Sequence, residues 1–363
     1  MPGLDPAIDQ APLARAGWGR RSSEQAETGA SGGRIATYAA LDLGTNNCRL
    51  LVARPAGEGF RVIDAFSRIV RLGEGVSLTG RLSEAAMSRA IAALAICRSK
   101  MRSRGVTRAR LIATEALRAA ENGAEFRARV EDEVGLALEV IDRETEAQLA
   151  ATGCTPLMDP QAEGVVLFDI GGGSSELVRL ERSQKMRRGP PLPRIRGWTS
   201  LPTGVVTLAE RFGGITVTPQ SYEAMVQHVS DLLAPFVREH GDGMRGIHML
   251  GTSGTVTTIA GVHLDLRRYD RSRVDGCWMS MDEIANVVQR LLDMSYEERV
   301  ASPCIGAERA DLVLAGCAIL EAIRRAFPCP RLRVADRGLR EGMLVQMMRQ
   351  DGAWGGGHPA AAG

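Results

Sequence analysis

Lysine is all but missing from this 363-residue chain: Lys100 and Lys185 are the only two, and arginine supplies the rest of the positive charge. A GC-rich genome produces such a bias, and arginine also suits phosphate recognition. Aromatic residues make up 4% of the chain, too few for a protein that binds single strands by stacking bases. A net charge of +2 offers no global attraction for a polyanion. No apolar run is long enough to span a membrane; the best, residues 312–323, is short and contains Glu321. Cys48, Cys97, Cys154, Cys277, Cys304, Cys317 and Cys329 are odd in number and lack CxxC or zinc-type spacing. They are expected to be reduced thiols in a cytosolic protein. The few histidines are scattered and form no HExxH. A P-loop, a GxGxxG in a βαβ context and a GxSxG nucleophile elbow are all absent. Chemistry is left to glycines, hydroxyls, carboxylates and arginines.

What is present begins with a pattern that occurs twice. In residues 165–178 an apolar, β-branched run enters Asp169, passes Gly171, Gly172, Gly173, Ser174 and Ser175, and leaves through Glu176 and Leu177. This reads as strand, tight turn and strand. Glycines there let backbone N–H groups approach an anion closely, and an aspartate at the strand end is placed to hold a hard cation on it. Residues 37–52 repeat the pattern with Asp42, Gly44, Thr45, Asn46 and Asn47. Setting Asp42 on Asp169 puts Gly44 on Gly171 and Leu50 on Leu177 without a gap. The duplication predicts two domains, 34–150 and 151–350, each bringing a phosphate-type hairpin to a shared cleft. The final helix has the option of packing back on the first domain. Residues 1–33 and 351–363, rich in glycine and alanine, are expected to be a disordered leader and tail.

The remaining elements alternate as α/β. Strands are expected at 60–69, 110–114, 136–141, 198–203 and 332–334. Ser83 is positioned to cap a helix with Met87, Ala90, Ile91, Leu94 and Met101 on one face, and a second helix spans 124–134 with Phe126 and Val130 inward. Asp142 caps a helix whose first turn carries Glu144, Thr145 and Glu146. The basic stretch with Arg182, Lys185, Arg187, Arg188, Arg194 and Arg196 reads as a solvated loop, with a polyanion track as the rival reading. Gly204 precedes a helix at 205–212. Gly251, Thr252, Ser253 and Gly254 form a third polar turn at a helix N-terminus, a seat for an oxyanion. A long apolar helix is expected at 309–327.

Leu41-Asp42-Leu43-Gly44-Thr45-Asn46, Ala113-Thr114-Glu115-Ala116-Leu117-Arg118, residues 168–176, Gly251-Thr252-Ser253-Gly254-Thr255 and Leu339-Arg340-Glu341-Gly342 follow one another in an order that is specific as a set. Over residues 34–348 the chain resembles the exopolyphosphatase/guanosine pentaphosphatase family of the actin-like ATPase superfamily. The resemblance implies an α/β fold of two ribonuclease-H-like domains with an active cleft between them. It also implies Mg²⁺-dependent hydrolysis of the terminal phosphoanhydride of inorganic polyphosphate, or of the 5′ γ-phosphate of guanosine pentaphosphate. Carried over residue by residue, Glu146 matches the catalytic glutamate that activates water. Asp169 and Glu176 match acidic residues that hold metal or water, with Asp42 as the symmetric partner, and Arg118 matches a phosphate-binding arginine. Gly44, Thr45, Asn46, Asn47, Gly171, Gly172, Gly173, Ser174, Ser175, Gly204, Gly251, Thr252, Ser253 and Gly254 are the expected backbone and hydroxyl donors.

Two departures stand out. Where the family has a Ser-Gly turn and two adjacent glutamates, this chain has Asp142-Arg143-Glu144-Thr145-Glu146. The chain also stops before the further helical domain of long members, so a short two-domain member is expected. Nucleic acid and membrane are not expected partners, and a homodimer stays open. The rival from another class is an actin-like nucleotide-binding module without hydrolase activity. Glu146 and the paired Asp-x-Gly hairpins argue against it.

Overall fold

The computed structural model describes residues 36–184 and 188–354. The expected leader, Lys185, Arg187 and the end of the tail lie outside the described residues. Strands β1 (Tyr38–Leu43), β2 (Asn47–Ala56), β3 (Gly59–Ile69), β4 (Arg108–Ala113) and β5 (Glu139–Val140) form one sheet in the order β3-β2-β1-β4-β5. Strands β6 (Gly164–Ile170), β7 (Ser175–Gln184), β8 (Leu192–Leu201), β9 (Ile247–Thr252), β10 (Trp278–Ser280) and β11 (Arg331–Ala335) form a second, in the order β10-β11-β9-β6-β7-β8. In each sheet the first three strands are antiparallel and the next two join the first in parallel. With β10 set aside as an added edge, both units have the ribonuclease-H-like order.

The gap-free internal alignment holds in three dimensions. Asp42 lies across the ladder from Arg49 and Asp169 across from Glu176. Gly44 N–H donates to the Asn47 carbonyl at 2.9 Å, and Gly171 N–H to the Ser174 carbonyl at 3.0 Å. The two turns are therefore closed by the same hydrogen bond at the same place.

β1 and β6 are covered on both faces, which is why they read as continuous apolar runs. The helix Glu84–Ser103 is capped by Ser83, whose hydroxyl accepts from Ala86 N–H at 3.2 Å, and it buries Met87, Ala90, Leu94 and Met101. Phe126 and Val130 of Gly123–Val134 complete that core. In the second unit, Pro219–His240 and Val313–Ala326 cover Val166 and Phe168.

Two helices exchange sides. Arg143–Cys154 follows the first sheet in the chain, yet it packs Ala147, Ala151 and Cys154 against Val165, Val178 and Leu180 of the second. Leu339–Gln350 follows the second sheet and packs Leu339, Met343 and Met347 against Tyr38, Ala40 and Leu51 of the first. They cross at glycines. A methyl group on Gly153 would fall 1.9 Å from the Gly338 oxygen, and one on Gly342 would fall 2.0 Å from the Leu149 oxygen.

Four expectations are corrected. The strand at 136–141 is reduced to β5, because Leu136 and Leu138 are buried by the helices rather than by a ladder. The helix expected at 309–327 begins at Val313, leaving Arg309 and Asp311 in turns at the seam between units. The basic stretch is no loop insertion: β7 runs to Gln184 and β8 starts at Leu192, so Arg182, Arg194 and Arg196 lie in a long hairpin. β8 is an edge strand, which tolerates Pro193. The start of the expected tail belongs to the first unit, since Asp351 accepts from the Tyr38 hydroxyl at 2.9 Å and Trp354 Nε1 donates to the Gly59 carbonyl at 2.9 Å. The cysteines are free thiols, and among the described residues no helix is long and apolar enough to cross a membrane.

Candidate functional site

A cleft of about 650 Å³ separates the two units, and both Asp-x-Gly turns line it. Asp42 and Asp169 sit near the ends of β1 and β6, and both carboxylates reach the same cleft. Among the described residues neither carboxylate has a hydrogen bond or ion pair. Burial raises Asp42 above the usual carboxylate range, and Arg49 and Arg340 oppose it only in part. Burial likewise raises Asp169 to about 6, with Arg49 opposing and Asp42 adding to the rise.

Arg49 escaped the sequence reading. The signal was present, because the internal alignment that pairs the two aspartates also sets Arg49 on Glu176. Arg340, within Leu339-Arg340-Glu341-Gly342, also lines the cleft.

Glu176 faces the cleft and accepts from the Ser200 hydroxyl at 2.8 Å. Burial, then Asp169, push it up to about 7, against the hydroxyls of Ser174 and Ser200. Glu146 rides on the first turn of Arg143–Cys154, where Asp142 accepts from Thr145 N–H at 2.7 Å and fixes the helix start. Burial and then Glu176 push Glu146 well above the usual range, although Arg118 Nη2 donates to it at 2.8 Å. Arg118 is heavily committed: Nη1 donates to the Ile141 carbonyl at 2.7 Å, and Nε and Nη2 donate to Glu115 at 3.0 and 2.8 Å.

The expected donors divide. Gly44, Thr45, Asn46, Asn47, Gly171, Gly172, Gly173, Ser174, Thr252, Ser253 and Gly254 all line the cleft. The two turns also touch, since a methyl on Gly172 would fall 2.9 Å from Thr45 Cβ. Ser175, Gly204 and Gly251 lie elsewhere. Side chains alternate along a strand, so with Glu176 facing the cleft Ser175 faces inward, where its hydroxyl donates to the Thr203 carbonyl at 2.8 Å. Gly204 N–H is taken by Thr207 Oγ1 at 2.9 Å, and Gly251 backs onto the Phe168 ring.

Among the described residues, three buried polar atoms in the cleft wall have no partner: Asn46 Oδ1, Asn47 Oδ1 and Ser253 Oγ. Ser253 also has φ 99° and ψ 176°, a backbone region that belongs to glycine. Strain of about 1–3 kcal/mol is held there. Ser253→Gly relieves it, less about 0.5–1 kcal/mol for glycine's greater chain entropy. Thermal melting is expected to show a stabler protein, and initial rates a slower one, because the hydroxyl is lost. A less stable Ser253→Gly protein would contradict the strain.

The profile of the Ppx/GppA phosphatase family matches residues 51–351. A crystal structure of the Aquifex aeolicus member of the Ppx/GppA family is 29% identical, with 88% of this chain and 99% of that one covered and a TM-score of 0.71. An exopolyphosphatase-like protein is 28% identical over 87% of this chain and 98% of its own, at a TM-score of 0.77. An exopolyphosphatase from Cytophaga hutchinsonii, 23% identical, covers 86% and 98% at a TM-score of 0.78, a likeness of fold alone.

Proposed function

Because the chain belongs to the Ppx/GppA phosphatase family, we propose that it hydrolyses inorganic polyphosphate from the end, releasing orthophosphate, with Glu146 as the base. The observation that carries this reading is a carboxylate held well above its usual range beside two unpartnered aspartates in one cleft. A general base works best with a pKa near the working pH, and burial moves Glu146 in that direction.

In the proposed step, a water oxygen attacks the terminal phosphorus in line. The new P–O bond forms as the bridging P–O bond breaks, and the water's proton passes to a Glu146 carboxylate oxygen. The shortened chain leaves from the far side. In this reading the phosphate is oriented by backbone N–H groups of the Gly172 and Gly254 turns and by the Ser174 and Ser253 hydroxyls, all of which line the cleft. Asp42 and Asp169 are oxygen donors without partners, a set that fits Mg²⁺. Among the described residues no three His, Cys, Asp or Glu side chains form a metal-holding group, so the expected set of Asp42, Asp169 and Glu176 does not come together as one cage. Bound at the two aspartates, Mg²⁺ supplies neutralisation of the phosphate oxygens.

Guanosine pentaphosphate is the second reading. Tyr269 favours it, since this residue is 42% exposed and lines the cleft with Arg271. Phosphate release with Mg²⁺ from short and long polyphosphate, guanosine pentaphosphate and ATP separates the readings. No release from any of them would defeat both.

The raised aspartate has a consequence for stability. Asp169 ionises near pH 6 when folded and near 4 when unfolded, so the folded state binds more protons between these values. Its destabilising effect is therefore complete above pH 6, shrinks as pH falls, and closes below pH 4. Asp169→Asn is expected to raise the metal-free melting temperature by several degrees at pH 8 and by little at pH 4.5. Mg²⁺ is expected to raise the melting temperature of the wild type at pH 8 but not that of the variant. Equal responses of the two proteins would remove Asp169 from the cation site.

A further inference from the structure

Glu115 begins the short helix Glu115–Ala119 and reaches the cleft with its stem against the second unit, where a methyl on Gly173 would fall 3.1 Å from Glu115 Cγ. Its carboxylate lies between two guanidinium groups. Arg118 donates to it from Nε and Nη2, and Arg143 does so from Nε at 3.3 Å and Nη2 at 2.8 Å. Arg118 has five N–H donors. Glu115 occupies two, Glu146 one and the Ile141 carbonyl one, so a single N–H remains for a ligand. An arginine in this state cannot present a two-pronged edge to a phosphate.

Arg118 frees such an edge by leaving Glu115, which holds two of its donors. Alone, that would strand a carboxylate whose side chain is 13% exposed, and an unpaired buried charge is expensive. Arg143 removes the difficulty. Its side chain is 42% exposed, its only bonds among the described residues are to Glu115, and it stands on the first residue of the helix that carries Glu146.

We propose that Arg143 is a positioning residue: it keeps Glu115 neutralised while Arg118 turns from Glu115 to the terminal phosphate, and so sets the affinity for the phosphoanhydride. Arg143 itself does not touch the substrate. The proposal rests on the hydrolase reading above.

The test is a double-mutant cycle in the full chain with Mg²⁺ and inorganic tripolyphosphate. Arg143→Ala is expected to raise KM about fivefold, the upper size of an exposed charge pair, with kcat within about twofold. Arg143→Lys recovers part of the loss. In a Glu115→Gln background there is no charge to neutralise, so adding Arg143→Ala leaves KM unchanged. An unaltered KM in Arg143→Ala overturns the proposal. So does an Arg143→Ala effect that persists undiminished in the Glu115→Gln background, the result of a merely structural role. If the wild type releases no phosphate, the hydrolase reading fails separately, and the same four proteins are compared by calorimetric Kd for tripolyphosphate. Equal Kd values for wild type and Arg143→Ala, or no binding by any of the four, then overturn the proposal on its own terms.

Discussion

Replacing Glu146 by glutamine is expected to lower phosphate release by about 10²- to 10⁴-fold, the range associated with a positioned general base. The substitution keeps the shape and an oxygen for Arg118 Nη2, so the Arg118 network has no reason to collapse. It removes a proton acceptor and a charge that burial disfavours. The melting temperature at pH 8 is therefore expected to be no lower than that of the wild type, separating lost chemistry from lost fold. Glu144 is the control. It stands two residues before Glu146, but its side chain is exposed and accepts from Gln148 Nε2 at 3.1 Å, one turn along the same helix. Glu144→Gln should hold its rate within about twofold, as surface changes do. Initial rates and melting curves of the three proteins decide the matter. A Glu146→Gln protein with the wild-type rate would end the base assignment.

The second large effect is structural. Gly342→Ala places a methyl 2.0 Å from a backbone oxygen of the other crossing helix, and Gly153→Ala places one 1.9 Å from another. Neither oxygen belongs to a side chain that can swing away, so the helices must separate. Each helix also seals a core, Leu149 and Met343 in one and Ala147 and Ala151 in the other. Either substitution is expected to cost about 3 kcal/mol or more, at the upper end of overpacking effects. Roughly 6–12 °C of melting temperature should go with it. Activity should fall as well, because Gly338 at the crossing lines the cleft. Gly59→Ala, which meets nothing within 4 Å, is the control. A Gly342→Ala protein that melts with the wild type would mean that the helices have room the structure does not give them.

Much of the site was legible in the chain because it is local. A strand ending in aspartate, a glycine turn and a return strand are consecutive residues, and their repetition is visible without knowing how the sheets lie. The same holds for Asp142 as a cap, which sets Glu146 one turn into its helix. Ser175 was misread for a reason equally local: strand alternation turns it inward once Glu176 faces out. Gly204 and Gly251 were expected as donors from their places before helices, whereas the first is engaged by Thr207 and the second makes room for Phe168.

By itself the sequence determined the duplicated α/β architecture and the two Asp-x-Gly turns, since each follows from residue type and spacing within one short segment, while Glu146 as the proposed base came from the family resemblance. Only the tertiary structure decided how charge is shared among them. Arg49 opposes both Asp42 and Asp169, although Asp169 is more than a hundred residues away. Arg118 is committed to Glu115 and Glu146, and Arg143 waits on Glu115. Which guanidinium meets which carboxylate depends on where the crossing helices bring them, and Coulomb energy depends on that distance and on the water excluded. Spacing along the chain carries neither.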